Sequence, residues 1–97
     1  NLKLRFTNRA ATELDAVLSS LDRVSPVGAK RVRQRLQDTI DLLLRYPSAG
    51  RLTDKRQVRR VPVFPYPYVI FYRASTTEIT IHAVRHSARK PPAPTTL

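Results

Sequence analysis

Arginines in or just beyond short apolar stretches, together with one histidine, are the residues of this sequence whose types and spacing could do chemistry. An arginine there carries a permanent charge that binds phosphate or carboxylate groups and stabilises developing negative charge. A histidine flanked by arginines should have its charged form disfavoured, which leaves a neutral imidazole that can act as a base. The residues that we predict to bind a target are Arg59, Arg60, Arg73, Arg85, His86 and Arg89.

The sequence excludes several other kinds of reactive site. It contains no Cys and only two Gly, which rules out thiolate metal sites and a glycine-rich phosphate-binding loop. His82 is predicted to project from the solvent face of a strand, and four strand residues span about 13 Å, so His82 and His86 should not share a metal. We therefore predict no metal and no cofactor. A purely structural role for His86, hydrogen-bonded to loop backbone, stays open.

The charge balance is the clearest indication of a partner. The 97-residue chain has 18 Lys and Arg against 7 Asp and Glu, a formal net charge of +11. So large an excess attracts polyanions or acidic proteins. No apolar run approaches the roughly 20 residues of a membrane span, and no signal-peptide pattern opens the chain, so we predict a cytoplasmic protein.

Two amphipathic helices should follow a short N-terminal strand. Alternation of apolar and basic residues predicts the strand over residues 2–6, with its apolar side chains inward. One helix should begin after an N-cap at Thr7 or Asn8 and end near Asp22, and the next should begin after Ser25 and end before Pro47. The side chains that we predict to be largely buried are Leu14, Leu18, Val32, Leu36, Ile40, Leu43, Ile70 and Ile81.

Three further strands, rich in β-branched and aromatic residues, should form an antiparallel meander over residues 58–63, 68–73 and 78–84. Prolines separate the first two of them, because proline lacks a backbone donor. The polar segment 48–57 should be a loop, with Gly50 in the left-handed conformation.

This order of elements predicts an α+β fold of the form β-α-α-β-β-β. A two-helix hairpin should pack on one face of a small, mainly antiparallel sheet. Residues 1–90 should form a single domain, and the proline-rich residues 91–97 should form a mobile tail.

Several segments, taken in order, resemble the RelE/ParE superfamily, the toxins of bacterial type II toxin–antitoxin pairs. The resemblance rests on the order of the elements, on the Pro47…Gly50-Arg51 loop, and on the segments VRRVPV, PYPYVIFYR and ITIHAVRHSAR. It covers residues 2 to about 90. It implies a toxin that binds a cognate antitoxin in a hetero-oligomer.

The superfamily divides by target, and the resemblance therefore implies one of two activities. RelE-like members cut messenger RNA on the ribosome, whereas ParE-like members poison DNA gyrase and cleave nothing themselves. The RelE-like pattern has an arginine directly after the tyrosine that opens the third strand, where this chain has Val69 after Tyr68. The tyrosine-rich YVIFY segment and the Val-Arg-His-x-x-Arg ending are closer to the ParE-like branch. We therefore predict a gyrase poison.

Two alternatives stay open. The first is a RelE-like, ribosome-dependent mRNA endonuclease, in which His86 would be the base and Arg73 or Arg85 would stabilise the charge. Only this alternative would make the protein an enzyme. The second is a basic module without toxicity that binds nucleic acid in a salt-sensitive way.

Overall fold

A helical hairpin lies against one face of a five-stranded sheet in the computed structural model, which describes residues 2–87. The elements in chain order are β1 (Lys3–Phe6), α1 (Asn8–Val24), α2 (Pro26–Arg45), β2 (Arg51–Leu52), β3 (Arg59–Pro62), β4 (Tyr68–Ala74) and β5 (Glu78–His86). The predicted α+β fold is confirmed. Strand β2 was not predicted, because it lies in the segment interpreted as a polar loop. The predictions for Arg89 and for the tail over residues 91–97 lie outside the described residues.

Both helices begin where a side-chain oxygen caps a free backbone N–H group. Thr7 Oγ1 accepts a hydrogen bond from the Ala10 N–H at 3.1 Å, and Ser25 Oγ accepts one from the Gly28 N–H at 3.0 Å. Ser25 also ends α1, so that α1 continues to Val24, slightly beyond its predicted end. Each helix has an apolar stripe on one side only, and neither is long and apolar enough to cross a membrane.

The sheet has the strand order β1-β5-β4-β3-β2. Strand β1 pairs in parallel with β5, and every other pairing is antiparallel, which confirms the predicted meander of β3, β4 and β5. Leu4, predicted to face inward, is 39% exposed. Its exposure follows from the position of β1 at the sheet edge, where a strand has a neighbour on one side only.

The core lies between the helices and the sheet face that they cover. The predicted core residues that are buried are Val32, Leu36, Ile40, Leu43, Ile70 and Ile81. Leu14 and Leu18, also predicted to be largely buried, are only partly buried and pack against the outside of this cluster. In α1 it is the small side chain of Ala10 that is fully enclosed, at 0% exposure.

Strand β5 contains a β-bulge that the sequence analysis did not predict. Tyr72 pairs with Ile81, whereas Phe71 pairs with Ala83, so His82 is an extra residue without a partner across the ladder. A bulge of this kind bends the strand and changes the face to which the following side chains point.

Gly50 is required for a close approach rather than for a left-handed backbone. Neither glycine has a positive φ, contrary to the prediction for Gly50, and the positive φ in this region, 59°, belongs to Gln57. A Cβ at position 50 would lie 2.7 Å from the Tyr72 hydroxyl and 2.9 Å from the Arg60 carbonyl. That hydroxyl accepts a hydrogen bond from the Gly50 N–H at 2.9 Å and donates one to the Pro47 carbonyl at 2.8 Å. Tyr72 thereby fixes the connection between α2 and β2.

Candidate functional site

The two faces of the sheet differ in what covers them. Along β4, Ile70 and Tyr72 belong to the core beneath the helices. Successive side chains of a strand point to opposite faces, so Val69, Phe71 and Arg73 lie on the other face. We call this helix-free side the open face.

A groove of about 440 Å³ crosses the open face. Its lining residues are Thr7, Arg9, Thr53, Asp54, Lys55, Val58, Phe71, Arg73, His82, Ala83 and Arg85. Four of them are Lys or Arg and one is an acid, so an anion in this open-face groove is attracted by the net charge of its walls. Phe71 adds a half-buried aromatic ring on which a planar group could stack.

One rim of the open-face groove is held by a carboxylate of α1. Glu13 Oε1 accepts a hydrogen bond from the Val84 N–H at 3.0 Å, on a stretch of β5 beyond the end of β1. The other oxygen accepts a hydrogen bond from Arg9 Nε at 3.4 Å and lies 3.8 Å from Arg85 Nε. Glu13 therefore satisfies a backbone donor at the sheet edge and also positions two arginines of the groove.

The opposite rim is the loop between β2 and β3, which carries Lys55. Thr53 Oγ1 donates a hydrogen bond to the Val58 carbonyl at 2.9 Å and accepts one from the Lys55 N–H at 3.1 Å, which closes the loop on itself. From β4, Arg73 Nε donates to the Arg56 carbonyl at 3.3 Å. Arg73 thus helps to hold this rim in addition to lining the groove.

His82 lies in the open-face groove, on the face of the sheet opposite to the buried Ile81. The extra residue allows both His82 and Ala83 to lie on the open face, where both line the groove. His82 is therefore half-buried there, whereas the sequence predicted that it would project into solvent. Burial lowers the pKa of His82, and the charge of Arg73 lowers it further, which keeps the imidazole neutral at neutral pH. The sequence does indicate the bulge, because the alternation of apolar residues in β5 is interrupted at Ala83-Val84, two consecutive apolar residues.

His86, the base in the mRNA-endonuclease alternative, lies on the other face of the sheet. Strand β5 continues through His86, which was predicted to lie where the strand gives way to a loop. Its ring packs edge-on against Tyr68, with 5.4 Å between the ring centroids and 83° between the ring planes, and Tyr68 belongs to the core beneath the helices. The structure therefore separates His86 from Arg73 and Arg85, which line the open-face groove.

The two arginines of β3 that were predicted to bind the target lie apart, on opposite faces of the sheet. Arg59 Nη1 donates a hydrogen bond to the Gly50 carbonyl at 2.8 Å, so Arg59 braces the same connection as Tyr72. Burial raises the pKa of the Tyr72 hydroxyl, and the Gly50 N–H and the charge of Arg59 oppose that rise. Arg60 is exposed and pairs with Phe71, which places it on the open face but outside the groove lining.

The arrangement can bind an anion and can offer it one neutral imidazole. Arg73 and Arg85 are the predicted site residues that the structure brings to the groove. His82, Arg9 and Phe71 were not predicted there. Within residues 2–87, no three His, Asp or Glu side chains are placed to hold a metal ion together.

Curated relatives match nearly the whole chain. "Toxin RelE2" of Caulobacter vibrioides is 37% identical over 84 residues, which cover 87% of this chain and 93% of that protein. "Putative toxin Y4kP" of Sinorhizobium fredii is 31% identical over 90 residues, which cover 93% of each chain.

Solved structures share the fold, and a family model matches most of the chain. The chromosomal ParDE toxin–antitoxin system from P. aeruginosa contains a chain that superposes with a TM-score of 0.77 at 24% identity, covering 88% of this chain and 95% of that one. YafQ from E. coli strain BL21(DE3) superposes with a TM-score of 0.58 at 11% identity, covering 91% and 96%. The family model described as "ParE toxin of type II toxin-antitoxin system, parDE" matches residues 4–91. The chain therefore belongs to the ParE toxin family of type II toxin–antitoxin systems, within the RelE/ParE superfamily.

Proposed function

We propose that this toxin arrests bacterial growth by poisoning DNA gyrase, as the ParE-like branch of the superfamily does, and that a cognate antitoxin neutralises it. The match to the ParE toxin family model supports this branch. The relative named Toxin RelE2 is the reason to keep a ribosomal target as the second candidate. Both targets lie in the cytoplasm, so a cytoplasmic location is part of the proposal.

The separation of His86 from the arginines is the observation that carries the proposal. A general base must lie within hydrogen-bond reach of the reacting group, in the same site as the charges that stabilise the transition state. His86 packs against Tyr68 on the helix-covered face, whereas Arg73 and Arg85 line the groove. Val69, which stands where the RelE-like pattern has an arginine, is only 3% exposed and brings no charge to the open face. A gyrase poison makes no such demand, because it must bind and hold rather than accelerate chemistry.

One observation favours the second candidate, a ribosome-dependent mRNA endonuclease. His82 lies in the open-face groove together with Arg73 and Arg85, and burial keeps its imidazole neutral. General-base cleavage of a phosphodiester uses a neutral imidazole beside fixed cations. In this candidate His82 would be the base in place of His86.

The proposal is tested with purified toxin in a gyrase reaction on supercoiled plasmid. Cleaved plasmid should accumulate, and Arg85→Ala should reduce the cleavage at least about tenfold, as loss of a well-placed interfacial charge does. Arg33→Ala is the matched control, since it removes the same charge from an exposed position of α2, and it should leave cleavage unchanged. Equal cleavage by both variants would exclude the groove from the mechanism. Plasmid that stays intact at every toxin concentration would contradict the gyrase proposal.

The same preparation is then assayed for mRNA cleavage on programmed ribosomes. The proposal expects mRNA to remain intact. Codon-phased cuts that vanish in His82→Ala and persist in His86→Ala, with no effect on gyrase, would replace the proposal by the second candidate.

A further inference from the structure

A second surface lies on the helix side of the molecule, apart from the open-face groove. It is a cleft of about 480 Å³ between α2 and the connection from β3 to β4. One wall is formed by Arg31, Gln34, Arg35 and Asp38, and the other is the segment 64–66. We call it the α2 cleft. It shares no lining residue with the open-face groove, so a molecule bound in one does not have to displace a molecule bound in the other.

The aromatic wall of the α2 cleft is exposed but held in place. Phe64 is 67% exposed, whereas its neighbour Val63 is completely buried at 0%. The Tyr66 N–H donates a hydrogen bond to the Val63 carbonyl at 2.9 Å, and Arg35 Nε donates one to the Phe64 carbonyl. The backbone that carries the Phe64 ring is therefore fixed before any partner arrives, which lowers the entropy cost of binding.

The charged wall offers positive charge to a partner. Arg31 and Arg35 are four residues apart in α2 and so lie on the same side of the helix. None of the ion pairs found among residues 2–87 involves a residue of α2. Asp38, the acid of the cleft, accepts a hydrogen bond from Gln34 Nε2 at 3.0 Å. Its carboxylate is thus engaged along the helix, and the two arginines remain to receive other carboxylates.

We propose that the α2 cleft is the docking site for an acidic peptide segment of a partner protein. An apolar side chain of that segment packs on Phe64, and its carboxylates bind Arg31 and Arg35. Arginine and exposed aromatic residues are the side chains that most often dominate binding at protein interfaces. The net charge of +11 favours an acidic partner over a neutral one.

The acids of α2 decide between an acidic peptide and a nucleic acid. A nucleic-acid strand carries a phosphate on every nucleotide, so a strand that followed α2 from the arginines would meet the exposed Asp38 and Asp41. A short peptide can place its carboxylates on Arg31 and Arg35 alone. Assigning the segment to the cognate antitoxin rests on the proposed function, whereas the acidic-peptide chemistry rests on the cleft.

The test measures the binding of a fluorescein-labelled peptide, glutamates around a single phenylalanine, to the full-length toxin by fluorescence anisotropy. Phe64→Ala and Arg31→Ala should each weaken binding about tenfold, the loss expected at an interface hot spot. Arg33→Ala removes an equal charge from the same helix outside the cleft, so its effect should stay within about twofold. All three side chains are exposed, and circular dichroism checks that each variant is folded.

Each of the following results would overturn the inference. Equal weakening by Arg31→Ala and Arg33→Ala, or full binding by Phe64→Ala, would mean that the peptide is held by net charge alone. Displacement of the peptide by a single-stranded oligonucleotide whose own binding is lost in Arg31→Ala would make the cleft a nucleic-acid site.

The gyrase assay on the same variants separates this inference from the proposed function. The expected result is an Arg31→Ala toxin that binds the peptide about tenfold more weakly and still accumulates cleaved plasmid. Intact peptide binding by Arg31→Ala overturns the docking site whatever the gyrase result is.

Discussion

Ile70 and Tyr72 of β4 are completely buried beneath the helices, whereas Phe71 and Arg73, their neighbours on the same strand, line the open-face groove. The helix-covered face contributes the strand residues of the apolar cluster that holds the hairpin to the sheet. The open face collects cations that a buried position would not tolerate, because an unpaired charge in a core costs several kcal/mol or more. Stability therefore depends on one side of the sheet, and the proposed target binding depends on the other. Substitutions should therefore separate the two properties.

The largest expected effect belongs to the helix-covered face. Leu36 is 4% exposed in the core, and Leu36→Ala should lower the free energy of unfolding by about 2–5 kcal/mol, since it leaves a cavity. Leu14→Ala should cost less, because Leu14 is only partly buried. Urea denaturation of both variants measures the difference. A loss below about 0.5 kcal/mol for Leu36→Ala, the range of surface substitutions, would contradict the assignment of stability to the helix-covered face.

An intermediate effect is expected for Tyr72→Phe, which deletes only a hydroxyl. The change leaves the Gly50 N–H and the Pro47 carbonyl without their hydrogen-bond partner, so the free energy of unfolding should fall by about 1–3 kcal/mol. Tyr66→Phe is the control, since Tyr66 is half-buried at the α2 cleft. Equal stability of the two variants in urea would mean that the Tyr72 hydroxyl does not hold the α2–β2 connection.

The fold could be predicted from the sequence where many residues repeat one pattern. The helix caps at Thr7 and Ser25 and the apolar stripes behind them fixed both helices. Strand β2 escaped prediction, because two residues are too few to show alternation and its pairing with β3 depends on tertiary contacts.

The site was only partly predictable, and the residues of β5 show why. Arg85 and His86 are adjacent in one strand and must therefore point to opposite faces. The predicted strand ended at Val84, so both residues were placed in a loop, where no alternation separates them. His82 lies on the predicted face of its strand, but the groove walls half-bury it, and local sequence does not show that burial. Lys55 and Arg9 reach the groove from separate elements. Local sequence does not show which distant residues the fold brings together.

The smallest expected effect is a pH dependence on the open face. The pKa of His82 lies below its ordinary value of 6.5 because of burial and, secondarily, Arg73. The unfolded chain therefore takes up this proton at a higher pH than the folded chain. The stability linked to neutral His82 is present above about pH 6.5 and is lost as the pH falls through the folded pKa.

Urea midpoints of the wild type and of His82→Gln, measured across that pH range, check the effect. The wild type should lose stability relative to the variant as the pH falls, because glutamine does not titrate. Parallel curves of urea midpoint against pH would show that neither burial nor the charge of the groove lowers the pKa of His82.

Glu13 covers a part of β5 that would otherwise be an unpaired strand edge. Strand β1 covers β5 only at residues 78–81, and beyond it the Val84 N–H is bound by the Glu13 carboxylate at 3.0 Å. An uncovered edge is a template on which a second chain can add a strand, the first step of aggregation. The same carboxylate contacts Arg9 and Arg85. Displacing it would release two cations of the groove and leave a backbone donor of this edge unpaired in one step, so the charge of the groove and the protection of the edge are linked through one side chain.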